Sequence, residues 1–221
     1  MATKTPDNYY RLLEAISKAA AATGRTLKDI TLVAVTKNHS VEEIMGLYEA
    51  GCRIFGEGKL QEALPKIEQL PKDCVWHMIG TLQKNKARKA VEKFAMIESV
   101  DTPELADKIS AVSMELGKVT PVLLQVNVSD ELAKHGLTPK AWKEAYARAH
   151  ELPGIRIEGL MTMAPFIEDR PFIRRCFARL RKLRDELPGI GPELSMGMSH
   201  DFMEAVAEGS TMLRIGSLLF F

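Results

Sequence analysis

Short apolar runs rich in branched side chains alternate along this chain with longer stretches whose apolar residues recur every three or four positions. The first kind reads as strands buried on both faces, the second as helices carrying one apolar stripe. The runs predict strands at 31–36, 53–56, 75–79, 96–100, 122–128, 155–161, 193–196 and 212–215. Ahead of them, Tyr9, Leu12, Leu13, Ile16, Ala19 and Ala20 share one face of a helix that starts near Asp7 and stops at Gly24. Helix starts between the strands carry their own chemistry. Ser40 with Glu43 is a capping box, and Thr102-Pro103 and Thr138-Pro139 each set a cap before a first-turn proline. Trp142, Ala145, Tyr146 and Ala149 form one apolar stripe; Ile173, Cys176, Phe177, Leu180, Leu183 and Leu187 form another. Eight such units without a linker or repeat interruption predict one α/β domain over residues 1–221, a (β/α)8 barrel with an additional N-terminal helix. A doubly wound open sheet is the alternative the pattern leaves open.

Charge narrows the partners. With 30 basic against 29 acidic side chains, no long-range field recruits nucleic acid or a membrane surface, so a ligand must be recognised locally. No run of about 18 apolar residues occurs, and the first residues lack a signal-like core, so a cytoplasmic protein is expected. The three cysteines, Cys52, Cys74 and Cys176, have spacings that suit neither a disulfide framework nor a zinc site, and no metal is expected. The arginines and lysine between Arg174 and Arg184 interleave with the second apolar stripe, which makes them the solvated face of a helix.

In a (β/α)8 barrel the reactive face is built from the carboxyl ends of the strands. Here those ends carry Lys37, Glu57 and Gly58, His77 and Gly80, Ser99 and Asp101, Asn127, Met161 and Thr162, Ser195 to Ser199, and Arg214 with Gly216 and Ser217. Lys37 ends the apolar run Leu32-Val33-Ala34-Val35-Thr36 and begins the polar turn Asn38-His39-Ser40. Partial loss of water at the mouth would favour its free amine, the form that attacks an aldehyde carbon; the plainer reading is a solvated strand end. Ser195-Met196-Gly197-Met198-Ser199 leads into a helix near His200 or Asp201, and Arg214-Ile215-Gly216-Ser217 closes the last strand. Glycines, hydroxyls and free N–H groups after strands seven and eight make an anion cradle, if they do more than shape turns. An amine facing such a cradle describes an aldehyde-bearing phosphate compound, with pyridoxal 5'-phosphate (PLP) the natural candidate.

The motifs LVAVTK (32–37), FGE with QEA (55–57, 61–63), WHMIG with LQ and NK (76–86), SVD (99–101), QVNV with Lys134 and Gly136 (125–136), GLM (159–161) and LSMGMS with EGSTMLRIG (194–216) follow in order along the chain. In these the chain resembles the pyridoxal phosphate homeostasis proteins, single barrels related to the N-terminal domain of alanine racemase. The resemblance implies a Schiff base at Lys37, phosphate held by Ser199, Gly216 and Ser217, and Arg214 near the pyridine nitrogen. There a cation disfavours ring protonation and weakens the ring as an electron sink. His77, for which a hydrogen-bonded structural role is the plainer reading, Asn127 and Met196 complete the candidate cofactor contacts, with no residue assigned a catalytic role. A structural ion pair of Arg214 with Glu57 or Glu208 is compatible with that role. Where the family usually has asparagine and tyrosine after FGE, this chain has Gly58 and Lys59, which puts contacts from that loop in doubt or adds a second amine.

The expected function is a carrier that binds PLP, acts in its homeostasis and delivers it to apo-enzymes. The competing reading is a PLP-dependent amino-acid racemase. Racemisation needs two bases on opposite faces of the cofactor plane, the second supplied by another domain across a dimer. The chain ends soon after the eighth strand, and Tyr9, Tyr10, Tyr48 and Tyr146 fall in predicted helices, so a monomeric, non-catalytic carrier is favoured. A third reading is a barrel that binds some other phosphate compound, with Lys37 only an electrostatic contact.

Overall fold

The computed structural model describes residues 5–129 and 135–221; Lys134, one of the motif residues, lies outside them. Helix α1 (Thr5–Ala21) leads into β1 (Thr31–Val35), α2 (Val41–Glu49), β2 (Ile54–Glu57), α3 (Leu60–Gln69), β3 (Val75–Met78), α4 (Ala87–Lys93) and β4 (Met96–Val100). Then follow α5 (Pro103–Glu115), β5 (Thr120–Gln125), α6 (Pro139–His150), β6 (Ile155–Met161), α7 (Arg170–Glu186), β7 (Glu193–Ser195), α8 (Phe202–Ala207), β8 (Met212–Ile215) and the short α9 (Ser217–Phe220). The strands are parallel and close in chain order, with β8 returning to β1 in the register Ala34↔Ile215. Closure replaces the open-sheet alternative with a barrel.

Local signals survive folding. The Ser40–Glu43 box forms in both directions, Thr102 and Thr138 accept the amide N–H groups of Leu105 and Ala141, and Gly24 takes φ +72° just beyond α1. β5 departs from expectation, starting two residues before 122–128 and ending three before. Thr120 joins the sheet through Gly154, while Val126 turns to bridge Leu137.

Strand alternation sorts the core into two layers. Ala34, Phe55, Ile97, Leu124, Leu160 and Leu213 pack outward against the helices, with Trp142 and Phe177 among the largest wholly buried side chains. Val33, Leu123, Met161 and Met212 fill the barrel floor, with Ile54 and Met96 against them. One step further along β4 and β8 the interior turns polar, at Glu98 and Arg214. This apolar floor beneath a charged layer sets the stage for the mouth. No helix among the described residues is long and apolar enough to cross a membrane.

Candidate functional site

Lys37 sits on a β-turn. The amide N–H of His39 donates to the carbonyl of Thr36 at 3.1 Å, which puts Lys37 second in the turn, and Asn38 third with φ +64°. Asparagine tolerates this left-handed conformation better than most residues, so the local sequence accounts for the turn. The turn is anchored on several sides. The His39 ring stacks on Phe220 of α9, centroids 3.5 Å apart, and its Nδ1 lies 3.1 Å from Glu43. Below, Lys66 Nζ on α3 donates to the Thr36 carbonyl at 2.7 Å and to Glu57 Oε1 at 2.6 Å, and Thr36 Oγ1 donates to that same oxygen at 2.6 Å. Lys37 itself is exposed, and its amine has no hydrogen-bond or ion-pair partner among the described residues. The expected partial desolvation is therefore corrected. β1 ends at Val35, one residue earlier than expected and two before Lys37, so the lysine stands on a turn above the mouth instead of at a strand end within it.

The predicted anion cradle comes together beside this turn, because β8 pairs with β1. Ser199 Oγ accepts the amide N–H of Leu218 at 3.5 Å, joining the loop after β7 to the first turn of α9. Gly216, Ser217 and Ser199 thus share one rim, with two hydroxyls and the N–H groups that a helix start leaves free. Gly197, at φ +100°, lets that loop turn tightly: a Cβ there would lie 2.5 Å from the Ala205 Cβ. Asp201 Oδ1 accepts the Met198 N–H at 2.6 Å and holds the loop. Burial pushes the Asp201 carboxyl above its ordinary range, against the Met198 hydrogen bond and the charges of His200 and Arg214.

Inside the barrel a buried chain runs from β3 to β8. His77 Nδ1 lies 2.7 Å from Glu98 Oε1; Ser195 Oγ donates to Glu98 Oε2 at 2.6 Å and accepts from Arg214 Nη1 at 2.5 Å. Arg214 Nη2 donates to the Thr162 carbonyl at 2.7 Å. Burial raises the Glu98 carboxyl, but the hydrogen bond and charge of His77, the charge of Arg214 and the Ser195 hydroxyl outweigh it and hold it below the usual range. Desolvation lowers Arg214, opposed by Glu98 and Asp201. The expected ion pair of Arg214 with Glu57 or Glu208 is not formed. Glu57 is taken by Lys66 and Glu208 by Arg174 and Arg181, while Arg214 leans on a serine and a carbonyl.

The remaining predicted residues spread out. Met196 is wholly buried in the outer apolar cluster with Leu213 and Ile215, so it packs the core and exposes no surface to the mouth. Asn127 is buried just past β5, its amide N–H donating to the Leu137 carbonyl at 2.9 Å. Ser99 Oγ donates to the Gly80 carbonyl at 2.6 Å, and Asp101 lies 3.5 Å from His135. Lys59 pairs with Glu62 at 2.8 Å on the surface of α3, and a Cβ added at Gly58 would meet nothing within 4 Å. The four tyrosines lie on helices α1, α2 and α6.

Sequence reasoning missed Glu98 and Lys66. Both left a signal. Glu98 is a lone acid inside the run Met96-Ile97-Glu98-Ser99-Val100, and Lys66 falls on the same helical face as the buried Leu60 and Ala63. A charge at a buried position needs a partner, so each one announces a network.

The donor set fits an aldehyde-bearing phosphate ester. An amine without a partner among the described residues stands on the turn after β1, and beyond the neighbouring β8 hydroxyls and free N–H groups suit phosphate oxygens, with a buried guanidinium on the interior face. The family model described as alanine racemase, N-terminal domain, matches residues 12–221. A pyridoxal phosphate homeostasis protein of Aquifex aeolicus is 41% identical over 215 residues, covering 95% of this chain and 94% of that one. The structure of PipY from Synechococcus elongatus, solved with PLP bound, superposes with a TM-score of 0.82 at 39% identity, covering 93% of this chain and 100% of PipY. An alanine racemase of Clostridium difficile shares the fold alone, with a TM-score of 0.75 at 15% identity, covering 94% of this chain and 58% of the racemase. With its barrel, its turn-borne lysine and full-length similarity to these proteins, the chain belongs to the pyridoxal phosphate homeostasis protein family, within the alanine racemase N-terminal domain family.

Proposed function

We propose that this protein is a cytoplasmic, monomeric carrier of PLP that holds the cofactor on Lys37 as a Schiff base, buffers its free concentration and passes it to apo-enzymes. The observation that carries the reading is the neighbouring placement, beyond the ends of adjacent strands, of the Ser199–Leu218 rim and the Lys37 amine, which has no partner among the described residues. Bound PLP supplies an aldehyde that condenses with an amine to a C=N bond, with loss of water. The chain does the rest. Ser199, Ser217 and the amides from Gly216 onward hold the phosphate, and the Asn38 turn presents the amine. Arg214, kept in place by Ser195 and the Thr162 carbonyl, sets a positive charge on the interior face. Exposure of Lys37 supports a carrier, because water and a receiving protein reach the linkage as readily as the cofactor does. The tyrosines, all on helices, offer no base at the strand ends, which supports binding over racemisation.

The test is a visible absorbance scan of the purified protein with PLP, followed by borohydride reduction and peptide mapping. A new band and a reduced adduct on Lys37, both lost in Lys37→Ala, are expected. An adduct on Lys59 in both proteins, or no band, overturns the reading. Light scattering on the loaded protein checks for the monomer.

A further inference from the structure

Lys66 and Glu57 belong to no part of the cradle, yet they form a deeply placed ion pair next to the residue before Lys37. Glu57 is wholly buried and the Lys66 side chain is 12% exposed, with Nζ 2.6 Å from Glu57 Oε1. The pair closes a ring through Thr36: Lys66 Nζ to the Thr36 carbonyl at 2.7 Å, and Thr36 Oγ1 to Glu57 Oε1 at 2.6 Å. The same carbonyl accepts the His39 N–H that closes the lysine turn. One oxygen therefore receives both the bond that makes the turn and the bond that ties it to α3. Lys37 is the next residue, and its amine has no hydrogen-bond or ion-pair partner among the described residues.

We propose that Lys66, braced by Glu57, is a positioning residue for Lys37: its ammonium fixes the Thr36 carbonyl, and with it the direction in which the reactive amine leaves the barrel. This rests on the reading of Lys37 as the cofactor-bearing lysine. Burying an ion pair is an expensive way to stabilise a loop, since desolvation offsets much of the attraction. Holding a reactive group in one orientation is a use that such a pair serves well, because misplacing a reacting atom slows the reaction steeply. The second Glu57 oxygen, Oε2, is buried with no hydrogen-bond partner among the described residues, so Lys66 and Thr36 share the one engaged oxygen, and loss of any member loosens the other two.

The experiment separates positioning from binding by using two ligands. PLP reports attachment through its visible band. Pyridoxine 5'-phosphate has the ring and phosphate but no aldehyde, and reports the cradle alone by calorimetry. In Lys66→Met the band from PLP is expected to form on the order of tenfold to a hundredfold more slowly. Pyridoxine 5'-phosphate affinity stays within about twofold, because the cradle on the β7 and β8 loops is untouched. Lys66→Arg, which keeps a cationic donor, recovers part of the rate. Thr36→Val removes one hydroxyl from the ring and is expected to slow the band by a smaller factor; it also carries the test should Lys66→Met fail to fold. A wild-type rate in Lys66→Met, or in Thr36→Val where that variant carries the test, overturns the proposal. So does equal loss of both ligands. Absence of any Lys37 adduct in the unmodified protein overturns the carrier reading itself, a result distinct from these.

Discussion

Two buried carboxylates frame the mouth, and they are partnered differently. Glu98 lies on the barrel interior with both oxygens engaged, by His77 and by Ser195, and through the serine it reaches Arg214. Glu57 lies between the sheet and α3, engages one oxygen with Lys66 and Thr36, and leaves the other without a partner among the described residues. The first network joins side chains from four strands. The second joins the side chains of Glu57, Lys66 and Thr36 to the backbone of a turn. Burial alone does not say what a charge is for; the atoms it holds do. Glu98 sets the position and charge of an interior guanidinium, and Glu57 with Lys66 sets the position of the peptide that precedes Lys37.

That contrast can be broken by mutation. Glu98→Ala strands Arg214, which is 4% exposed, and is expected to cost about 3–5 kcal/mol in urea unfolding, because a buried charge loses its compensation. Glu57→Gln keeps the shape and an acceptor for Lys66, which already reaches solvent, so about 1–3 kcal/mol is expected. A larger loss at Glu57 than at Glu98 would reverse the ranking and make the turn, not the interior, the structural keystone.

Acid sharpens the same comparison. The Glu98 carboxyl is depressed in the folded state, so its contribution is present above the unfolded value of about 4.3 and lost as pH falls through the folded one. Asp201 is raised, so its ionisation opposes folding as pH rises past its unfolded value of about 3.9. Unfolding curves from pH 3 to 7, to order of magnitude, should therefore be flatter in Glu98→Gln than in the unmodified protein. A parallel slope would mean that Glu98 is not depressed. Lys37→Ala is expected to change stability by less than about 0.5 kcal/mol while abolishing the visible band, since the exposed amine holds nothing in the protein. The smallest effect belongs to Gly58→Asn. A Cβ there meets open space, so thermal unfolding is expected to stay within about 0.5 kcal/mol, and any change in PLP affinity reports contact from this loop.

Much of this architecture was legible beforehand. The period of the apolar residues placed the eight strands, because parallel strands covered on both faces leave continuous branched runs. Capping residues located the helix starts for the same local reason, and the strand-end rule brought Lys37, Ser199, Gly216 and Ser217 onto one list before any coordinates. The partners were not legible. His77 and Glu98 are 21 residues apart, and Glu98 and Ser195 are 97 apart. The ion pair considered for Arg214, with Glu57 or Glu208, does not form, because strand order and tilt in the closed barrel bring Ser195 and Glu98 to the guanidinium and leave those two acids to Lys66 and to Arg174 and Arg181.

What the sequence determined by itself is local: where the chain alternates, where helices start, and that Asn38 lets the backbone turn just after Lys37. These follow from steric limits and hydrogen bonds within a few residues. Only the tertiary structure decided that Lys37 stands exposed on its turn while Lys66 holds the peptide before it, and that Arg214 reaches Glu98 through a serine. Those outcomes depend on which side chains closure of the barrel brings within about 3 Å, a distance no run of residues encodes.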